Sequence, residues 1–153
     1  MIKEIKVFKN STFQDKRGFY WTTWKKSFLK QIKFNHDKFS VSKRKVLRGL
    51  HCDFKSWKLV TCVYGKIFFA VVDMRKGTGK YLKYKSWILS HDKPTLILVP
   101  PYFANAHLCL SKSCVFHYKW FYKGKRPPLC IYGAGNRRRT MQGWPAVPLQ
   151  EQG

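Results

Sequence analysis

The chain has 153 residues, 44% of them apolar and 17% aromatic, which supplies one hydrophobic core and is too rich in aromatics for a disordered polymer. Its 31 lysines and arginines against 7 acidic residues give a formal net charge of +24, a field that draws phosphates of any kind and so identifies no partner alone. The lysines are spread along the sequence, which speaks against a dedicated nucleic-acid arm, and no run approaches the ~20 apolar residues of a membrane span.

Short runs of β-branched and aromatic residues recur about every ten positions, the pattern of an antiparallel sandwich or barrel. Strands are expected at 4–8, 18–24, 38–42, 46–52, 57–64, 66–73, 80–89, 95–99, 106–110 and 114–121. Only KKSFLKQI at 25–32 has a helical pattern. Gly65, between WKLVTCVY and KIFFAVVD, allows a tight hairpin, and RKGTGK at 75–80 supplies the glycines for the next turn. Pro100 and Pro101 stop the apolar run that starts at Thr95, because they lack ladder donors. A loop is expected after them, a common place for binding residues.

Composition divides the chain into an all-β domain over 1–126 and an atypical tail over 127–153. Every lysine lies at or before Lys125, whereas the tail holds Pro127, Pro128, Pro145, Pro148 and the run Arg137–Arg139. Its weak alternation predicts an irregular or poorly ordered segment. The five cysteines have no CxxC spacing and suggest neither a disulfide framework nor a zinc site. With no apolar leader in MIKEIKVFKN, the expectation is a reduced, cytoplasmic protein.

His51, in VLRGLHC, is the first candidate for chemistry, since imidazole is a base near neutral pH. Arg48 lies three residues earlier and alternation sends it to the other face, unless the strand bulges at Gly49. Lys58 opens the next strand; an ammonium inside a barrel needs a partner, for which an oxyanion is suitable. Tyr118 and Tyr122 share strand parity and both point inward if either does. The five histidines include no HxH pair, which argues against a metal-dependent cupin, and no Gly-rich phosphate loop or nucleophile elbow is present.

Taken in order, FQDKRGFY at 13–20, HDKFSVSKRKVLRGLH at 36–51, KLVTCVYGKIFFAVVDMRKGTGKY at 58–81, LILVPPYFANAH at 96–107 and YKWFYKGK at 118–125 resemble the dTDP-4-dehydrorhamnose 3,5-epimerase family. NHDKFS, WKLVTCVYG and the NAH turn are similar to the members acting on GDP-linked 4-keto-6-deoxyheptoses for surface polysaccharides. The resemblance implies a cupin-like jelly roll, a homodimer and a nucleotide-linked 4-keto-6-deoxy sugar as substrate, with no cofactor. It implies that His51 is the base, Tyr118 the acid on the opposite face of the sugar ring and Lys58 the cation at the C4 oxygen. Arg17 and Arg48 would hold phosphates and sugar, with Asn105, His107 and Tyr122 as further substrate-binding residues.

The sequence also departs from the family pattern. Lys45 and Tyr102 stand where the family has glycine, and Tyr102 is expected to strain its turn. The family's WxDxxxxIxWP segment, whose aspartate orients the catalytic histidine, has no match after Lys125. That points to a truncated or frame-shifted tail and to a second reading, a catalytically impaired homologue that binds nucleotide sugar or pairs with an active paralogue. A basic RNA- or polysaccharide-binding protein is a third, which bulk charge supports and the ordered motifs oppose; nucleic acid is therefore not expected as a partner.

Overall fold

A computed structural model describes residues 4–121 and 129–130. It is almost entirely antiparallel β. The strands are β1 (Lys6–Lys9), β2 (Phe13–Asp15), β3 (Gly18–Tyr20), β4 (His36–Lys43), β5 (Leu47–Cys52) and β6 (Trp57–Tyr64). They continue with β7 (Lys66–Asp73), β8 (Tyr84–Ser90), β9 (Thr95–Val99), β10 (Phe103–Cys109), β11 (Ser113–Phe121) and β12 (Leu129–Cys130). One sheet has the order β1-β9-β6-β11-β4 and the facing sheet the order β12-β5-β10-β7-β8, while β2 and β3 form a separate hairpin.

Two-residue alternation decides what each sheet buries. Val60, Cys62, Ile97, Val99, Cys114 and Phe116 of the first sheet meet Ile67, Phe69, Val71, Leu89, Phe103 and Cys109 of the second in one core. The intervening residues Leu59, Leu96 and Leu98 face outward and are covered by Leu29 and Ile32 from the segment between β3 and β4, with Trp21, Trp24 and Trp57 around them. That packing explains why the expected helix at 25–32 is reduced to a 3-10 turn at Lys26–Phe28. Phe28 and Ile32 donate their N–H groups three residues back, to Lys25 and Leu29, and Lys25 supplies no side-chain cap.

Other boundaries shift for local reasons. The strand expected at 18–24 ends at Tyr20, because it is half of the exposed hairpin whose other half, β2, carries no burial signal. The expected loop after Pro101 is a single turn. Tyr102 adopts φ +68°, the chain reverses, and β10 begins at Phe103, so Asn105 and His107 lie on a strand. Lys45 likewise has φ +67°, so both positions where the sequence departs from glycine have left-handed backbone. Within 127–153, Leu129 and Cys130 pair with Cys52 and His51 on β5, and the rest of that span lies outside the described residues.

Candidate active site

The chain crosses between the sheets twice at one end, from β5 to β6 through 53–56 and from β9 to β10 through 100–102. The two crossings are tied by the Tyr102 N–H, which donates to the Asp53 carbonyl at 3.1 Å. The candidate residues gather inside this end.

On β5, His51 pairs with Asn105 and Arg48 with His107, so three steps on one strand match two on the other. This is the bulge that Gly49 permits, and it turns Arg48 to the face His51 occupies. Gly49 has φ +137°, and a Cβ there would sit 2.4 Å from the Ala106 Cβ and 2.9 Å from the Asn105 carbonyl oxygen. Gly49→Ala is therefore expected to destabilise the fold by about 3 kcal/mol through backbone strain and overpacking. Urea unfolding measures this.

Lys58 shares the inner parity of Val60 and is 8% exposed. Its Nζ crosses the space between the sheets and donates to Asn105 Oδ1 at 3.1 Å. Burial lowers the Lys58 pKa, as expected for an ammonium removed from water. Burial, followed by the charges of Lys58 and Arg48, also holds the half-buried His51 imidazole below its ordinary value. His51 is thus neutral at pH 7, in the form a base requires. Arg48 reaches the facing sheet, where its Nε donates to Ser42 Oγ at 2.9 Å and its Nη2 to the Val41 carbonyl at 3.2 Å.

His107 is 4% exposed and stacks on Phe116, with ring centroids 4.2 Å apart. Its Nε2 is buried and has no hydrogen-bond partner among the described residues. Burial, then Arg48 and His51, push its pKa down to about 4. The folded ring stays neutral until pH falls to about 4, while the unfolded ring takes up its proton near 6.5. Its contribution to stability is fully present above 6.5 and is lost progressively as pH falls toward 4, about 3 kcal/mol in all. His107→Phe should flatten the stability profile across that window, measured by urea unfolding at pH 7 and pH 4.5.

Tyr118 lies on the inner face of β11, 5.7 Å from Phe116 between ring centroids, and burial raises its phenol pKa. Phe116 thereby links the tyrosine to His107 on the facing sheet. The described contacts do not bring Arg17 to this cluster. It sits on the β2–β3 hairpin with its side chain 90% exposed, ion-paired to Asp15 at 2.5 Å. Tyr122 lies outside the described residues.

Two neighbours escaped the sequence reading. Lys38 on β4 holds its ammonium over the Trp120 ring, 4.5 Å from the centroid, and its charge acts on Lys58. Asp53 follows β5, and its charge also acts on Lys58. Its position two residues after His51 was a usable parity signal. A third group, His117 and Lys119 bound to Asp37 at 2.5 and 2.6 Å, has the opposite strand parity on β11 and does not join the cluster.

A family model described as dTDP-4-dehydrorhamnose 3,5-epimerase matches residues 1–125. The dTDP-4-dehydrorhamnose 3,5-epimerase of Escherichia coli (strain K12) is 32% identical over 126 residues, covering 77% of this chain and 68% of that protein. The solved dTDP-6-deoxy-D-glucose-3,5-epimerase of Legionella pneumophila Philadelphia 1, in complex with dTDP-4-keto-L-rhamnose, is similar with a TM-score of 0.74 and 30% identity, covering 80% of this chain and 70% of that one. The dTDP-4-dehydrorhamnose 3,5-epimerase of Bacillus anthracis str. Ames, solved with TDP and PPi bound, gives a TM-score of 0.77 at 26% identity, covering 94% and 86%.

Proposed function

The chain belongs to the dTDP-4-dehydrorhamnose 3,5-epimerase family, and from that premise we propose that it inverts C3, C5 or both of a nucleotide-linked 4-keto-6-deoxy sugar. The observation that carries the proposal is the convergence of a neutral imidazole, His51, with the buried Lys58 ammonium and Asn105 between the two sheets.

The chemistry follows from the substrate. A proton on carbon beside the C4 ketone is weakly acidic, and its removal leaves an enolate. His51 takes the proton, and Lys58 places positive charge where the enolate oxygen forms, in a site of low dielectric. Tyr118, on the facing sheet, returns a proton to the other side of the ring; its raised pKa keeps the phenol protonated at pH 7. Arg48 and Lys38 supply charge for the phosphates, and Asn105 and His107 line the sugar's side of the space. The reaction needs no cofactor. The heptose-like motifs favour a GDP-linked deoxyheptose destined for surface polysaccharide. A cytoplasmic setting, where nucleotide sugars are made, belongs to the same proposal.

The test is incubation with GDP- or dTDP-linked 4-keto-6-deoxy sugars in deuterated water, with mass spectrometry for deuterium at C3 or C5. No incorporation beyond that of a His51→Ala control would sink the enzyme reading. One observation favours the second reading, a weakened enzyme that retains binding: among the described residues no side chain hydrogen-bonds the His51 ring. Binding of the nucleotide sugar without exchange would establish it.

We also propose a homodimer. Phe39 and Val41, 63% and 67% exposed on one face of β4, offer apolar area for a second copy, and sedimentation equilibrium tests it.

A further inference from the structure

Asp53 is held at two points. Its carbonyl accepts the Tyr102 N–H at 3.1 Å, and its Oδ1 accepts the Lys55 N–H at 2.9 Å. The remaining carboxylate oxygen, Oδ2, is buried and accepts no hydrogen bond from the described residues. A buried anionic oxygen left in this way is costly unless a nearby charge compensates it.

Lys58 has the complementary deficit. Its ammonium carries three donors, yet the bond to Asn105 is the one it makes among the described residues. Cationic Lys38 faces it from β4, His51 from β5, and the neutral amide of Asn105 from β10. The Cys52 thiol is also close, but burial pushes its pKa up to about 11, so it brings no charge at neutral pH. Asp53 lies two residues after His51, whose strand partner Asn105 holds the Lys58 ammonium, so the fold brings its carboxylate to the same end of the space. It is the acidic side chain whose charge reaches Lys58 among the described residues. It makes no direct ion pair and acts through space, in a medium where charges are poorly screened.

We propose that Asp53 is a positioning residue that keeps Lys58 charged beside the substrate's C4 oxygen, an assignment that rests on the epimerase reading above. The Tyr102 N–H holds the Asp53 backbone and the Lys55 N–H holds its Oδ1, so the carboxylate is oriented by the crossover segments themselves. A neutral amine at Lys58 would leave the enolate oxygen without its cation.

The experiment follows the Lys58 Nζ in protein labelled with 13C,15N-lysine by NMR titration, with the signal assigned through Lys58→Arg. The near-isosteric Asp53→Asn should lower the pH at which Lys58 loses its proton by about one unit, a tenfold loss of proton affinity. Unchanged titration overturns the proposal. If Asp53→Asn does not fold, Asp53→Ser takes its place with the same expected downward shift of the Lys58 titration, and an unchanged titration again overturns the proposal. In deuterium exchange, the high-pH limb should move downward in Asp53→Asn with KM unchanged, and Asp53→Glu should restore part of the shift. A merely structural role for Asp53 would move none of these. Wild-type protein that exchanges no deuterium would defeat the epimerase reading, while the lysine titration would still judge the effect of Asp53 on Lys58.

Discussion

His51→Ala is expected to cut deuterium incorporation into a 4-keto sugar by about a thousandfold, within the range for loss of a positioned general base. The stability of the folded chain should change little, because among the described residues the ring makes no hydrogen bond and is only half-buried. This separation matters, since a core histidine removed from the same strand would lower both. The pH dependence adds a second signature. Burial and the charges of Lys58 and Arg48 hold the imidazole below its ordinary 6.5, so the base form persists into mildly acidic solution. The acid limb of the rate should therefore fall below pH 6.5 in the wild type. Mass spectrometry across pH 5–8 measures both signatures, and exchange in the variant within tenfold of wild type would remove His51 from the mechanism.

Lys58→Met should lower the exchange rate by roughly a hundredfold to a thousandfold, as does loss of one preorganised charge at a developing oxyanion. Lys58 also contributes to the depressed His51 pKa, so its removal should move the acid limb of any residual activity upward toward 6.5. Stability is subject to two opposing changes. The substitution takes a charge out of the interior, which is favourable, and leaves Asn105 Oδ1 without its donor, which costs about 1–3 kcal/mol. A small net change in the unfolding midpoint, together with a large loss of rate, is the expected pair of results. A large loss of stability with normal exchange would mark Lys58 as a structural residue.

Much of the sandwich was legible in the sequence. The observed bounds of β6, β7 and β9 coincide with those expected, because each is a dense apolar run closed by Gly65, Asp73 or Pro100. Signals failed where burial does not follow composition. Leu29 and Ile32 are spaced as on a helix, yet they cover an outer sheet face from successive three-residue turns. Phe13–Asp15 is wholly exposed and gave no alternation to read.

In the site, His51, Lys58 and Asn105 were legible as candidates and the fold brings the three together, and Gly49 was the residue at which a bulge could form. What alternation could not supply was the pairing of Lys58 with Asn105, 47 positions apart, or the orphaned oxygen of Asp53. Both depend on how the two crossovers bring distant strand ends together. The chain's own residues show only the ends.

The sheet order has a consequence for the chain's excess of lysine. Among the described residues, strands β1, β4 and β8 each lie at a sheet margin, where a strand can offer backbone groups to another molecule's strand. Each carries lysine: Lys6 and Lys9 on β1, Lys43 on β4, and Lys85 on β8. Charge at such margins repels a second chain before main-chain pairing can begin, and salt weakens that repulsion. Part of the +24 is therefore expected to act as a colloidal guard, with resistance to fibrous association declining as ionic strength rises.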